Sequence, residues 1–312
     1  DRSPMTDPLR APPAERSAAE LLSFGVVNLD KPAGPSAHQV AGWVRDLAND
    51  AVAELEPDDR SGDGPSVDRA AHAGTLDPKV TGCLPLLLGD ATRMAQVFLE
   101  GRKEYVSVLE LHAPAPANLE AVLAEFEAPL YQKPPRKSAV SRRLRVREIH
   151  ELELLDLADR QALIRIQCES GTYVRKLCHD LGLALGTGGH MGHLRRTATD
   201  PFDDTSLVNL QLFTDALEFA REGDEELLRE IVQPAERALA HLPSVEIAPS
   251  AAREVATGAP VYAPGVISAD DADDGALVAC YTPDRSAVCL GTMAGDPDAD
   301  SGVAVDLERV LV

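Results

Sequence analysis

The stretch from His72 to Pro85, HAGTLDPKVTGCLP, concentrates the groups that could do chemistry. Glycines punctuate it at 74 and 82, and it holds a single acid, Asp77. Pro78 follows that acid. A proline confines the residue before it to extended backbone, so the Asp77 carboxylate sits on a stiffened segment. Taken alone, an Asp-Pro pair commonly does no more than form a turn. A second group of interest is Arg175 in SGTYVRKLCHDLG (170–182). A helix over Thr172–Leu185 would bury Val174, Leu177, Cys178 and Leu181. Arg175 then falls off the buried face, as either a solvated helix arginine or the partner of an anion. The third feature is a basic run. Between Tyr131 and His150 stand Lys133, Arg136, Lys137, Arg142, Arg143, Arg145 and Arg147 against one acid, Glu148, a local charge of +6.

Other chemistries are disfavoured. Glycoside hydrolysis normally takes two carboxylates, and the segment from His72 to Pro85 holds only Asp77. The five cysteines, at 83, 168, 178, 280 and 289, form no C-x-x-C. This argues against a disulfide framework and a cysteine-rich zinc site. No run approaches the ~20 apolar residues of a membrane span, and the N-terminus lacks a basic-then-apolar signal pattern. A soluble cytoplasmic protein is the expectation.

The net charge of −21 would ordinarily argue against nucleic acid, because phosphate contacts need Lys and Arg. The distribution of charge reverses that expectation locally. The basic run survives on an acidic background, whereas Ala240–Val312 carries twelve acids and three arginines. Arginine outnumbers lysine 24 to 6. Such an acidic, lysine-poor surface suits a protein that stays hydrated in concentrated salt.

The elements that must position these groups follow from patterning. Residues 1–22, with prolines at 4, 8, 12 and 13, read as a flexible tail. FGVVNL (24–29) reads as a strand. Ser36 reads as an N-cap with Gln39 completing a capping box, followed by Val40, Trp43, Val44 and Leu47 at helical spacing. Residues 48–68 read as a loop. Strands are expected at 103–112, 143–155 and 162–169, helices over 207–240, and a boundary near Pro243. The fold class is α+β: a mixed, largely antiparallel sheet over 23–240, then a small β-rich module over 241–312.

On these residues the chain resembles the TruB-type pseudouridine synthases, in particular their archaeal and eukaryotic, dyskerin-like branch. The pattern G-T-L-D-P-x-V-T-G-x-L-P is long and ungapped. LDKPAGPSAHQV (29–40), GRKEYVSVLELH (101–112), YQKPPRKSAVSRRLRVREIHELELL (131–155), SGTYVRKLCHDLG (170–182) and GHMGHLRR (189–196) follow in the family's order. LPSVEIAPSAAREVATGAPVYAPGV (242–266) resembles an RNA-binding PUA domain.

The resemblance implies an enzyme that isomerises uridine to pseudouridine in RNA. The N1–C1′ bond breaks, the base turns, and C5 joins C1′. No redox step, metal or ATP is needed, so no cofactor is expected. It also implies that Asp77 is the catalytic carboxylate, attacking C1′ or taking a C2′ proton. Burial beneath the substrate makes a carboxylate harder to ionise, and Arg175, matching the family's arginine, offsets this and can pair with it bidentately. Tyr105 matches an active-site tyrosine that stacks on the base and helps move the C5 proton. Tyr173 and Leu194, the latter before Arg195 and Arg196, match walls of the base pocket. His72, five positions before Asp77, matches a histidine near the extruded nucleotide. Lys31 supports either the loop or a phosphate.

The same resemblance gives the basic run (Lys133, Arg136, Lys137, Arg142, Arg143) contacts to RNA backbone, and the turn from Gly258 to Gly265 a close approach to phosphate. Expected partners are rRNA, tRNA, H/ACA guide RNA and small accessory proteins of that particle, with no membrane. Two departures stand out: the C-terminal module is strongly acidic, and Asp200 in TATDPF replaces an expected glycine. The rival reading, a non-catalytic RNA scaffold on the same fold, is disfavoured because Asp77 and Arg175 are both present.

Overall fold

The computed structural model describes residues 7–56, 64–99, 101–134 and 143–312. In chain order the first part supplies α1 (Ala18–Ser23), β1 (Gly25–Lys31), α2 (Ala37–Leu55), β2 (Ala70–His72), β3 (Thr81–Leu88), β4 (Lys103–Leu111), α3 (Leu119–Glu125), β5 (Pro129–Gln132), β6 (Arg145–Ala158), β7 (Gln161–Cys168), α4 (Val174–Ala184), β8 (Gly189–Thr199), α5 (Leu210–Arg221), α6 (Glu226–Ile231) and β9 (Gln233–Pro234). The second part supplies β10 (Ser244–Ile247), α7 (Pro249–Ala256), β11 (Val261–Tyr262), β12 (Val266–Ala269), β13 (Leu277–Tyr281), β14 (Ala287–Met293) and β15 (Val303–Val310).

The larger sheet runs β5-β6-β7-β4-β8-β3-β1-β9, with β2 also paired to β3. Its pairs are antiparallel apart from β3–β8, which meets in parallel at Thr81 and Gly82. The smaller sheet runs β11-β15-β14-β13-β10-β12. The α+β, largely antiparallel reading therefore holds.

Strand β3 organises the centre. Its residues TGCLPLLL are buried from Gly82 onward, as expected of a strand covered on both faces. Pro85 is tolerated there for a geometric reason. Its carbonyl accepts from Ala73 on the β2 side, so the N–H it lacks would have pointed into the gap between β8, which meets β3 at its start, and β2, which meets it at its end. One core lies on α2 and α5 and includes Val27, Leu29, Val40, Val44, Phe213 and Leu217. Another joins the two sheets through Phe24, Leu87, Tyr281, Leu290 and Leu311.

Three expectations need correction. The expected flexible tail, as far as it is described, is held to the body. Ser17 and Glu20 form a reciprocal capping box that starts α1, and Leu21 and Leu22 are buried. Arg16, 2% exposed, makes a fork of hydrogen bonds to Glu236 (2.8 and 2.6 Å), and Arg10 donates to the Leu311 carbonyl. The loop expected from residue 48 begins later, because α2 continues to Leu55 on buried Ala48, Ala51 and Val52. Its capping box at Ser36 and Gln39 is present as read, but Trp43 is 47% exposed, since the buried face is made of alanine and valine. The helical reading of 207–240 resolves into α5 and α6, then β9 and a short 3-10 turn.

Candidate functional site

The loop from Ala73 to Val80 joins the antiparallel pair β2 and β3. Leu76 and Val80 are buried and anchor it, and Asp77 between them is exposed. Val80 donates to the Asp77 carbonyl (2.9 Å), closing a turn with Pro78 at its second position, where a fixed φ suits it. Gly74 has φ of +82°, a region that favours glycine. Its N–H bonds the His72 carbonyl.

Arg175 lies in the first turn of α4, whose buried residues include Val174, Leu177, Cys178 and Leu181, as the spacing predicts. From that exposed position its Nη2 donates to Asp77 Oδ2 at 2.5 Å. One hydrogen bond forms rather than a fork. Both side chains are open, 56% and 57% exposed, so Asp77 is not buried by the protein itself. An ion pair this open is worth about 0.2–1 kcal/mol as it stands. Covering it with a ligand would strengthen it by lowering the local dielectric.

The sheet register aligns Lys31, Gly82, Arg196 and Tyr105 on β1, β3, β8 and β4. Lys31 is fully buried, and its Nζ donates to the carbonyls of Pro32 (2.9 Å), Pro78 (3.1 Å) and Val80 (2.8 Å). It therefore holds the Asp77 loop, the first of the two roles the sequence left open, and its burial does not favour the second, a phosphate contact. Burial lowers its pKa, and the nearby Asp77 charge opposes that. Gly82 must lack a side chain: a Cβ would stand 2.2 Å from the Arg196 carbonyl.

Tyr105 and Leu194 are half-buried, and both pack against the core on α2 and α5 and against a third core that includes Leu109, Ile164, Ile166 and Leu177. Burial raises the Tyr105 pKa, and the Arg196 charge offsets only part of that rise. Tyr173 is half-buried at the N-cap of α4, where Gln132 clamps its backbone. The Tyr173 N–H donates to Gln132 Oε1 (2.9 Å), and Gln132 Nε2 donates to its carbonyl (3.3 Å). His72 ends β2, and its buried Nδ1 has no hydrogen-bond partner among the described residues. Burial, then Arg196 and His38, lower its pKa, so it is the neutral form that fits here.

Other expected residues lie elsewhere. Lys133 and Arg143 are exposed; Arg136, Lys137 and Arg142 fall outside the described residues. Arg147 of the same run pairs with Glu169 at 3.3 Å. Gly258 and Gly265 both have work within the second module. Gly258, at φ +99°, ends α7 by donating to Val255 while Ala259 donates to Glu254, a Schellman motif. A Cβ on Gly265 would meet Ala251 at 2.7 Å. Asp200 closes its turn by accepting from the Arg102 N–H.

Sequence reasoning missed three buried polar residues: Arg196, Gln132 and Lys103, whose Nζ donates to Phe98. Nothing in a linear pattern separates a buried arginine from an exposed one. A cleft of about 540 Å³, lined by Arg69, Arg93 and Arg309 among others, lies at the other end of β2 from Asp77 and contains none of the expected residues. Among the described residues no group of three or more His, Cys, Asp or Glu could hold a metal, and no helix is long and apolar enough to cross a membrane.

Comparison with known proteins gives consistent matches. Residues 65–174 match the TruB family pseudouridylate synthase N-terminal domain, 175–240 the tRNA pseudouridylate synthase B C-terminal domain, 243–311 the PUA domain, and 7–41 the DKCLD domain. The chain is 62% identical to a probable tRNA pseudouridine synthase B of Haloarcula marismortui, over 99% of this chain and 95% of that protein. Its fold is similar to a chain in a Cbf5-Nop10-Gar1 complex, with TM-score 0.87 and 38% identity, covering 100% of this chain and 91% of the other. It is also similar to a chain in an H/ACA RNP bound to a substrate RNA containing 2′-deoxyuridine, with TM-score 0.85 and 37% identity over 100% and 92%.

Proposed function

This chain belongs to the TruB family of pseudouridine synthases, and on that premise we propose that Asp77 is the carboxylate through which it isomerises uridine in RNA. The observation that carries the reading is the contact between Asp77 and Arg175, 98 residues apart in sequence and joined on an open surface. An acid held by a guanidinium yet open to solvent is what a nucleotide must find on arrival.

In this reading the target uridine leaves its stack and covers the pair. The base lies against Tyr105 and Leu194, with Tyr173 at the wall. Asp77 meets the ribose, at C1′ or at the C2′ proton. Arg175 offsets the cost of excluding water from the carboxylate. The glycosidic bond breaks, the uracil turns, and C5 bonds to C1′. Tyr105 helps move the C5 proton. The residues meet these demands without a cofactor. His72 flanks the extruded nucleotide. The basic run, with Lys133 and Arg143, and the turn from Gly258 to Gly265 contact RNA backbone. The catalytic module spans 23–240 and the PUA module 241–312.

The substrates follow from the relatives. Likeness to proteins named tRNA pseudouridine synthase B supports a T-loop uridine of tRNA. Likeness to chains in H/ACA and Cbf5-Nop10-Gar1 complexes supports guide-directed uridines in rRNA, with small accessory proteins docked on this chain. The enzyme works with that RNA in the cytoplasm. The test is incubation with unmodified tRNA alone, and with guide, target and accessory proteins together. Pseudouridine in either arrangement supports the reading, and its absence from both contradicts it.

A further inference from the structure

Arg196 is unusual among the arginines of this chain. It is 1% exposed and forms no ion pair among the described residues, although acids outnumber bases 51 to 30 overall. A guanidinium taken out of water without a carboxylate is costly unless hydrogen bonds and later negative charge compensate it. The hydrogen bonds are informative. Nε donates to the Cys83 carbonyl at 2.8 Å, and Nη2 donates to the Gly74 carbonyl at 3.3 Å. Gly74 lies three residues before Asp77 and Cys83 six after it, so one side chain ties the start of the loop to β3 just beyond its end. In the register Arg196 is directly opposite Tyr105.

We propose that Arg196 is the positioning residue of this site: from beneath the Asp77 loop it ties the loop's start to β3 just beyond its end and presents its charge to the Tyr105 hydroxyl. The inference rests on the reading of Asp77 and Tyr105 given above. It assigns Arg196 no contact with RNA, because its side chain is covered. Its charge is felt by each titratable neighbour. It depresses His72, which also faces His38, and Lys103, which also faces Asp200, Cys168 and Cys83. It opposes burial at Tyr105, where Cys168 and Cys83 also act.

The test uses the full chain with Arg196→Lys and Arg196→Gln, each alone and with Tyr105→Phe. Three quantities are read: single-turnover pseudouridine formation, RNA affinity, and the NMR titration of His72. Lysine keeps the charge but carries all its donors on one terminal nitrogen, not at the separate positions from which Nε and Nη2 reach Cys83 and Gly74, whereas glutamine loses the charge. Both are expected to lower the single-turnover rate by about 10²-fold, the cost of a small misplacement, with RNA affinity unchanged. His72 is expected to titrate higher in the glutamine variant and near its wild-type position in the lysine variant. With Tyr105→Phe in place, Arg196→Lys should cost less than it does alone. Should the glutamine variant fail to fold, the lysine variant and its Tyr105→Phe cycle decide.

A full rate in Arg196→Lys, an RNA affinity that falls as far as the rate, or strictly multiplicative effects with Tyr105→Phe would each overturn the inference. The underlying reading fails separately, through an active Asp77→Asn. An inactive Asp77→Asn beside a fully active Arg196→Lys sinks only the role of Arg196.

Discussion

Replacing Lys31 with methionine tests how the Asp77 loop is held. The Lys31 ammonium is fully buried and donates three hydrogen bonds, to Pro32, Pro78 and Val80. Methionine fills the volume but donates nothing. The Pro78 carbonyl keeps a second partner, the Gly34 N–H at 2.9 Å. Pro32 is exposed, so water reaches its carbonyl. The Val80 carbonyl is left buried and unpaired, at about 1–3 kcal/mol. Losing the two partly buried bonds adds about 1 kcal/mol each. Relief from burying a charge offsets part of this. The net expectation is a destabilisation of about 3 kcal/mol, or roughly 4–5 °C in melting temperature for a chain of 312 residues. Thermal unfolding followed by circular dichroism measures it, and pseudouridine formation below the transition should also fall as the loop loosens. A variant that melts with the wild type and keeps its activity would refute the claim that Lys31 secures the loop.

Further outcomes follow from the same structure. Burial, with Arg196 second, lowers the Lys103 pKa to about 8 from 10.5; between these values the unfolded chain binds more protons, so this residue adds about 3 kcal/mol of stability as pH rises through that window. Cys83 and Cys168, pushed up to about 11 and 12, oppose it, so the measurement is urea stability of wild type minus Lys103→Met at pH 7.5 and pH 10, and a difference independent of pH would count against the assignment. Arg16→Met strands Glu236, which is 10% exposed, and should cost about 3–5 kcal/mol in the same urea experiment; a loss under ~1 kcal/mol would place the N-terminal segment outside the folded unit. Moving from ~0.1 M to ~2 M KCl screens the net charge of −21 and should raise the melting temperature, and no gain would count against a salt-adapted surface.

Much of this was legible in the sequence because periodicity and capping are local. Ser36 and Gln39 announce α2, and the buried face of α4 follows from its 3.6-residue spacing, which also exposes Arg175. The pairing of Asp77 with Arg175 came only through family resemblance, since no local rule links residues 98 apart. Ser17 and Glu20 carried the same capping signal as Ser36, but flanking prolines disguised the segment as a tail. Lys31 and Arg196 were opaque for a different reason. Their burial depends on which strands become neighbours, and β8, rich in glycine and histidine, gives little sign of being a central strand.

The decisive measurement is single-turnover modification of a validated RNA substrate by Asp77→Asn, with RNA affinity determined on the same protein. The substitution removes one charge from an exposed side chain and leaves the loop's anchors, Leu76, Val80 and Lys31, in place. The expected result is folded protein that holds RNA as tightly as wild type and forms no pseudouridine. Pseudouridine appearing at the wild-type rate would contradict the role given to Asp77.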